Sequence, residues 1–257
     1  MKSTSLSIFT ATAALLGCSV SQGLAQNPPP APEPVPKWTG GVAAGLTLTR
    51  GNGDTLLSTV SAGAGKKWKW NEVSFGADGA YGESKPPGAT ESTVNANYAH
   101  GFAQYNRLFS DRIYAFARVE ARHDDLADVA YRVALNPGAG YYFIKETNTD
   151  LCAEVGPGYV FEKLGSNEND YATLRAGEKF HYALNDRARL WQSIEWQPQV
   201  DRFNNYVVNA EIGIEADLTK DKKFALRTFL QDTYANEPAP GRKKNDVKLV
   251  TSVAYKF

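Results

Sequence analysis

Val247-Lys248-Leu249-Val250-Thr251-Ser252-Val253-Ala254-Tyr255-Lys256-Phe257 closes the sequence and decides how the rest is read. Successive residues of a strand point to opposite faces. Val247, Leu249, Thr251, Val253, Tyr255 and Phe257 therefore share one face, and Lys248, Ser252 and Lys256 share the other. An apolar stripe that finishes on an aromatic final residue gains little in a water-soluble protein. It fits a strand whose outer side meets lipid.

Working backwards, the same two-residue period recurs between polar, Gly-bearing or acidic breaks. The strands expected are 38–50, 55–69, 73–83, 91–107, 112–124, 129–144, 150–163, 169–184, 187–200, 205–218, 223–234 and 245–257. The alternation is plainest in three of them. In the fifth, Ile113, Ala115, Ala117, Val119 and Ala121 oppose Arg118, Glu120 and Arg122. In the seventh, Leu151, Ala153, Val155, Pro157, Tyr159 and Phe161 oppose Glu154, Gly156, Gly158 and Glu162. In the tenth, Tyr206, Val208, Ala210, Ile212, Ile214, Ala216 and Leu218 oppose Asn209, Glu211, Gly213, Glu215 and Asp217. His100, Glu178 and Gln192 fall on the side read as apolar, which points to a local bulge or to a position near the membrane interface.

Breaks after even-numbered strands are tight: Trp70 to Glu72, Leu108 to Asp111, Lys145 to Thr149, Asn185-Asp186 and Thr219 to Lys222. Those after odd strands are often longer: Ser84 to Thr90, Leu164 to Glu168 and Ala235 to Lys244, with Gly51-Asn52-Gly53-Asp54 the short exception. This asymmetry is that of an outer-membrane barrel with short periplasmic turns and longer outer loops. The expected fold is all-β: an antiparallel up-and-down transmembrane β-barrel of about twelve strands, with about ten to fourteen admissible. Both termini then lie in the periplasm.

Met1 to Ala25 has the layout of a secretory signal peptide, with Lys2 ahead of a short apolar run and Gly23-Leu24-Ala25 at the cleavage site. Leu15-Leu16-Gly17-Cys18 offers a rival, lipoprotein-type cleavage. A Pro-rich spacer follows at 26–37, extended and without a core. The barrel domain is 38–257. With 28 basic and 28 acidic residues the chain has no electrostatic case for nucleic acid. Cys152 is expected to be a buried, unreactive thiol. Interfacial girdles are sought among Trp38, Trp68, Trp70, Tyr81, Tyr141, Tyr142, Tyr182, Trp196, Tyr234, Tyr255 and Phe257.

Trp38-Thr39-Gly40, then Gly45 to Asp54, resembles the first hairpin of the YdiY-type salt-induced outer-membrane proteins, a family catalogued as a domain of unknown function. Asp232 to Pro238, Gly241 to Asp246 and the closing strand are similar as well. The resemblance implies a bacterial outer-membrane barrel. It implies that Tyr255 and Phe257 form the signal read by the barrel-assembly machinery, and it transfers no catalytic residue. Physically, Gly51-Asn52-Gly53 suits the positive φ of a tight hairpin, and Arg242, Lys243 and Lys244 make a basic loop tip.

The interior is expected to carry Arg118, Glu120, Arg122, Arg132, Glu154, Glu162, Arg175, Lys179, Glu195, Glu211, Glu215 and Arg227. Charges in so narrow a space must be paired or hydrated. A wet pore would use them to select solutes; a closed barrel would knit them into a plug. His123 with Asp124, Asp125 and Asp128 has metal-ligating chemistry without the spacing of a calcium loop. Ser193 and His181 share the inner face but lack a nucleophile elbow. No enzyme activity, cofactor or metal is expected.

The leading reading is a monomeric integral outer-membrane barrel serving envelope or salt adaptation, as a narrow channel for small polar solutes or ions. Its partners would be outer-membrane lipids, lipopolysaccharide, periplasmic chaperones and the assembly machinery. The rivals are a non-conducting structural barrel, a lipid-modifying outer-membrane enzyme, and a soluble periplasmic ligand-binding barrel or lipoprotein.

Overall fold

The computed structural model describes residues 37–49 and 54–257. The leader at 1–25, the spacer at 26–37 apart from Lys37, and the Gly51-Asn52-Gly53 turn lie outside the described residues. The described chain is all strand: β1 (Thr39–Thr49), β2 (Asp54–Lys67), β3 (Asn71–Lys85), β4 (Thr93–Leu108), β5 (Ile113–Asp124), β6 (Val129–Lys145), β7 (Thr149–Leu164), β8 (Asn167–Asn185), β9 (Ala188–Pro198), β10 (Tyr206–Asp217), β11 (Phe224–Ala235) and β12 (Asn245–Lys256). Each strand pairs antiparallel with its sequence neighbours, and β1 pairs with β12, so the sheet closes into a barrel without edges. At the seam Val42 lies opposite Tyr255 and Ala44 opposite Val253. The pairing runs on to Phe257, whose amide donates to the Gly40 carbonyl at 3.0 Å and whose carbonyl accepts from the Gly40 amide at 3.2 Å.

Strands of 11 to 19 residues reach or exceed the roughly 9–11 that a tilted strand needs to cross a bilayer. Their outer faces are apolar. Val119, Val155, Ile194, Ile212, Ile214, Leu249 and Val253 are all exposed. On the same strands Glu154, Val160, Glu162, Glu215 and Ser252 are buried on the inward face. This is the inverse of a water-soluble sandwich and suits lipid outside with a polar interior. The apolar stripe of the closing strand faces outward, as its alternation predicts, with Ser252 and Ala254 buried inside.

Exposed aromatic residues gather at both rims. At the short-turn end Lys66 lies 5.8 Å from the Trp38 ring and 5.0 Å from the Trp68 ring. At the other end the hydroxyls of Tyr81 and Tyr131 donate to Glu83 at 2.5 Å and Glu168 at 2.6 Å, and Tyr159 donates to Asp170. Tyr142 is a correction to the girdle set. It is buried inside, and its hydroxyl donates to Glu72 at 2.9 Å.

Two connections differ from expectation. The stretch Leu164 to Glu168 is a two-residue turn, because Gly165 takes φ 61 and lets β7 fold straight into β8. The chain from 199 to 205 is a longer loop, closed at its base by the Gln199 amide donating to the Asn205 carbonyl at 2.8 Å. Val200 looks like strand in sequence, but its amide bonds the Ala172 carbonyl at 2.9 Å within that loop. At the short-turn end Asp221 accepts from the Thr219 hydroxyl at 2.5 Å and the Lys223 amide at 3.2 Å. These bonds, the hydroxyl first, hold its carboxyl below the ordinary carboxylate range.

Candidate functional site: the charged lumen

The interior is where chemistry collects. In β5 the alternation aims Tyr114, Phe116, Arg118, Glu120, Arg122 and Asp124 inward. Arg118 meets Glu120 at 2.7 Å and its guanidinium lies 4.1 Å from the Phe102 ring. Arg122 meets Asp124 at 2.9 Å.

The most deeply buried charged group is Arg175 of β8, with a side chain 1% exposed. It bonds Glu154 of β7 at 2.9 Å and Glu195 of β9 at 2.5 Å. Glu154 also accepts from Gln104 at 2.7 Å, from the Tyr114 hydroxyl at 3.0 Å and from Lys179 at 3.1 Å. Every oxygen of this carboxylate thus has a partner, as a buried charge requires. Glu211 accepts the Trp191 indole N–H at 2.6 Å, and Arg227 lies 4.6 Å from that ring. Glu215 is met by Arg189 at 2.8 Å and Lys256 at 3.2 Å, and Lys256 also pairs with Asp217. A lysine of the closing strand thus neutralises the acidic face of β10 together with Arg189.

Several contacts cross the barrel. Lys179 of β8 reaches Gln104 of β4 at 3.2 Å. Arg132 of β6 pairs with Glu162 and reaches Gln197 of β9 at 3.1 Å. Lys248 of β12 bonds Asp124 of β5 at 3.4 Å and covers the Tyr98 ring at 3.4 Å. Going from β12 through β1 to β5, that last bond nearly halves the ring of strands. Together these contacts bar the lumen at more than one depth.

At the end holding the loops after odd strands lies a cavity of about 520 Å³. Glu162, Asp170, Asp201 and Glu237 line it, with Arg202 the one cation among its lining residues. Arg202 pairs with Glu237 at 2.6 Å. The floor is the Arg132, Glu162 and Tyr171 cluster, in which Tyr171 donates to Glu162 at 2.8 Å. The mouth is acidic.

His100 is placed differently from the sequence reading. It faces inward between Asp78 at 2.8 Å and Glu120 at 3.3 Å. On β4 the bulky residues Tyr98, Phe102 and Gln104 share its side, and small Ala99, Gly101 and Ala103 face out. Residue size misled the assignment of faces there. Ser193 and His181 both point inward, on β9 and β8, and share no hydrogen bond among the described residues. His123 bonds the Ala130 carbonyl at 2.9 Å and Asp125 at 3.0 Å. Among the described residues no three or more His, Cys, Asp or Glu side chains are grouped to hold a metal ion. Cys152 is free and buried beside Leu108, Tyr114, Phe116 and Tyr142.

A closed antiparallel barrel with an apolar exterior and a charged interior defines the class: a β-barrel membrane protein. Within it the chain belongs to the DUF481 family, described as a protein of unknown function, whose model matches residues 42–257. No curated protein is significantly similar to it. Solved structures similar to it include an autotransporter translocator domain and two porins. The translocator domain of the autotransporter NalP from Neisseria meningitidis is 15% identical, with 86% of this chain and 87% of that one covered and a TM-score of 0.44. The NanC porin is 7% identical, with 85% and 96% covered and a TM-score of 0.47. The KdgM porin is 6% identical, with 86% and 99% covered and a TM-score of 0.44.

Proposed function

We propose that this chain is an integral outer-membrane barrel that acts as a narrow channel for small polar solutes or ions, closed at rest, with opening that responds to salt. One observation carries the reading. Beyond the apolar cluster around Cys152 the lumen is lined with charged and polar side chains, yet it is barred by side-chain ties that salt can weaken. Lys248 and Lys179 are a quarter to a third exposed, 25% and 30%, so ions reach the ammonium ends of their pairs with Asp124 and Glu154. A raised ionic strength loosens such ties and leaves a charged conduit behind an acidic mouth. Cations are the favoured cargo on that ground. This links the geometry to envelope or salt adaptation.

In this reading the short turns and both termini face the periplasm and the acidic mouth faces outward. Residues 1–25 direct secretion, and Tyr255 and Phe257 are presented to the assembly machinery. Lipopolysaccharide meets the basic tip Arg242-Lys243-Lys244. The residues carry no catalytic role.

The test is single-channel conductance of the purified, refolded protein in planar bilayers under stepped salt. The expected result is discrete steps that become more frequent as salt rises, with cation preference reduced in Glu211→Gln. A silent bilayer with folding verified would replace the channel by a non-conducting structural barrel. The near-complete burial of Arg175 and Glu154 favours that second reading.

A further inference from the structure

Glu178 and Gln192 point the wrong way for polar residues. Glu178 lies opposite Ala153 and Ile194, and Gln192 opposite Phe180 and Ile212, so both share the outward, apolar face. Neither sits at a bulge: the register of β8 with β9 runs unbroken past both and shifts only between Ala183 and Asn185. The outward positions of β8 are Glu168, Asp170, Ala172, Leu174, Ala176, Glu178, Phe180, Tyr182 and Leu184, and Glu178 lies within the apolar run from Ala172 to Leu184. On β9, Gln192 lies between Leu190 and Ile194, within the stretch that ends at Trp196. The bulge that the sequence suggested is therefore excluded for both.

The two side chains touch. Gln192 Nε2 donates to Glu178 Oε2 at 3.3 Å. That single bond leaves the other carboxyl oxygen, the amide oxygen and the second amide N–H without a protein partner among the described residues. Lipid tails offer no hydrogen bond, so polar groups at this depth call for protein opposite them.

The unused groups are self-complementary. A two-fold axis along the membrane normal preserves depth, so a second copy would present the same pair at the same level with left and right exchanged. The free amide N–H of one copy then meets the free carboxyl oxygen of the other, twice. Such reciprocity is what a two-fold interface requires. We propose that the outward wall of β8 and β9 is the contact surface between two copies of this chain, with Glu178 and Gln192 hydrogen-bonded across the axis. This departs from the monomer expected from sequence and does not depend on whether the lumen conducts.

The experiment is sedimentation of the refolded full-length protein over a range of protein-to-detergent ratios, with folding checked by heat-modifiable migration on a gel. The expected wild type is a dimer. Glu178→Leu with Gln192→Leu suits the lipid face and should stay folded while losing dimer affinity on the order of tenfold or more. Glu178→Gln keeps a donor and an acceptor and should remain dimeric. A control on another part of the wall replaces the Thr228 and Thr251 hydroxyl pair, 3.2 Å apart, by leucines and should also remain dimeric. A wild type that is monomeric at every ratio, or a double-leucine variant that dimerises like wild type, overturns the proposal. In native envelopes a photo-crosslinker at Ala176 should give an adduct of twice the chain's mass. Adducts only to a different protein would overturn the assignment of a second copy.

Discussion

Arg175 sits between two carboxylates with its side chain 1% exposed. Taking a charge out of water costs several kcal/mol, which only close partners offset. Removing the guanidinium alone strands Glu154 and Glu195 without it. Breaking a buried pair in this way typically costs about 3–5 kcal/mol. Glu154 keeps Lys179 at 3.1 Å and Gln104 at 2.7 Å, so the loss falls mainly on Glu195. Arg175→Met is therefore expected near the lower end, about 3 kcal/mol. Urea unfolding of the protein in lipid vesicles, followed by tryptophan fluorescence, would measure it. Adding Glu195→Gln should return most of the loss, because the stranded charge is then gone. A variant as stable as wild type would mean that water hydrates the cluster and that the lumen there is wet.

At the scale of elements, four inward aromatic rings each face a glycine directly across the ladder. Tyr114 lies opposite Gly140 and Phe116 opposite Gly138. Phe102 lies opposite Gly76 and Trp191 opposite Gly213. A Cβ at any of these glycines would run into the ring it faces. The glycine makes the room in which the ring lies flat against the wall, beneath the charged layer. Gly140→Val should push Tyr114 from its place and cost its 3.0 Å bond to Glu154. Overpacking of this kind costs about 1–3 kcal/mol, visible as a lower temperature for the heat-modifiable gel shift. Gly63→Val is a fitting comparison, since the nearest atom to a Cβ there is 3.6 Å away. Strand limits were legible in sequence because lipid and lumen impose opposite chemistry on alternate residues. Where both sides suit apolar residues, as on β4 with its inward Tyr98 and Phe102, alternation lost its meaning and His100 was misassigned. The inward charges were legible by the same alternation, but the choice of Gln104 or Asp124 as a partner across the barrel was not. That choice depends on stagger and diameter, which no single strand encodes.

For the molecule as a whole, the question is whether the bars across the lumen hold it shut or hold it together. Lys248 separates the two roles. It joins β12 to β5 through Asp124 at 3.4 Å and covers Tyr98. Yet Asp124 keeps Arg122 at 2.9 Å when Lys248 is lost, so no carboxylate is stranded. A partly exposed pair contributes about 1 kcal/mol or less to stability, and methionine puts a polarizable thioether beside the Tyr98 ring in place of the ammonium that lies over it. Lys248→Met should thus fold like wild type while removing the long tie across the barrel. If the tie is a gate, the variant should open at low salt as often as wild type opens at high salt, and its opening frequency should lose most of its dependence on ionic strength. Lys179→Met added to it should extend the effect, since Lys179 supplies the other exposed crossing, to Gln104 at 3.2 Å. Planar-bilayer recordings of the three proteins would decide. Variants that stay silent while correctly folded would place the closure in the Arg175, Glu154 and Glu195 cluster, where the guanidinium and the Glu154 carboxylate are shielded from salt, and would leave the barrel a structural element of the envelope.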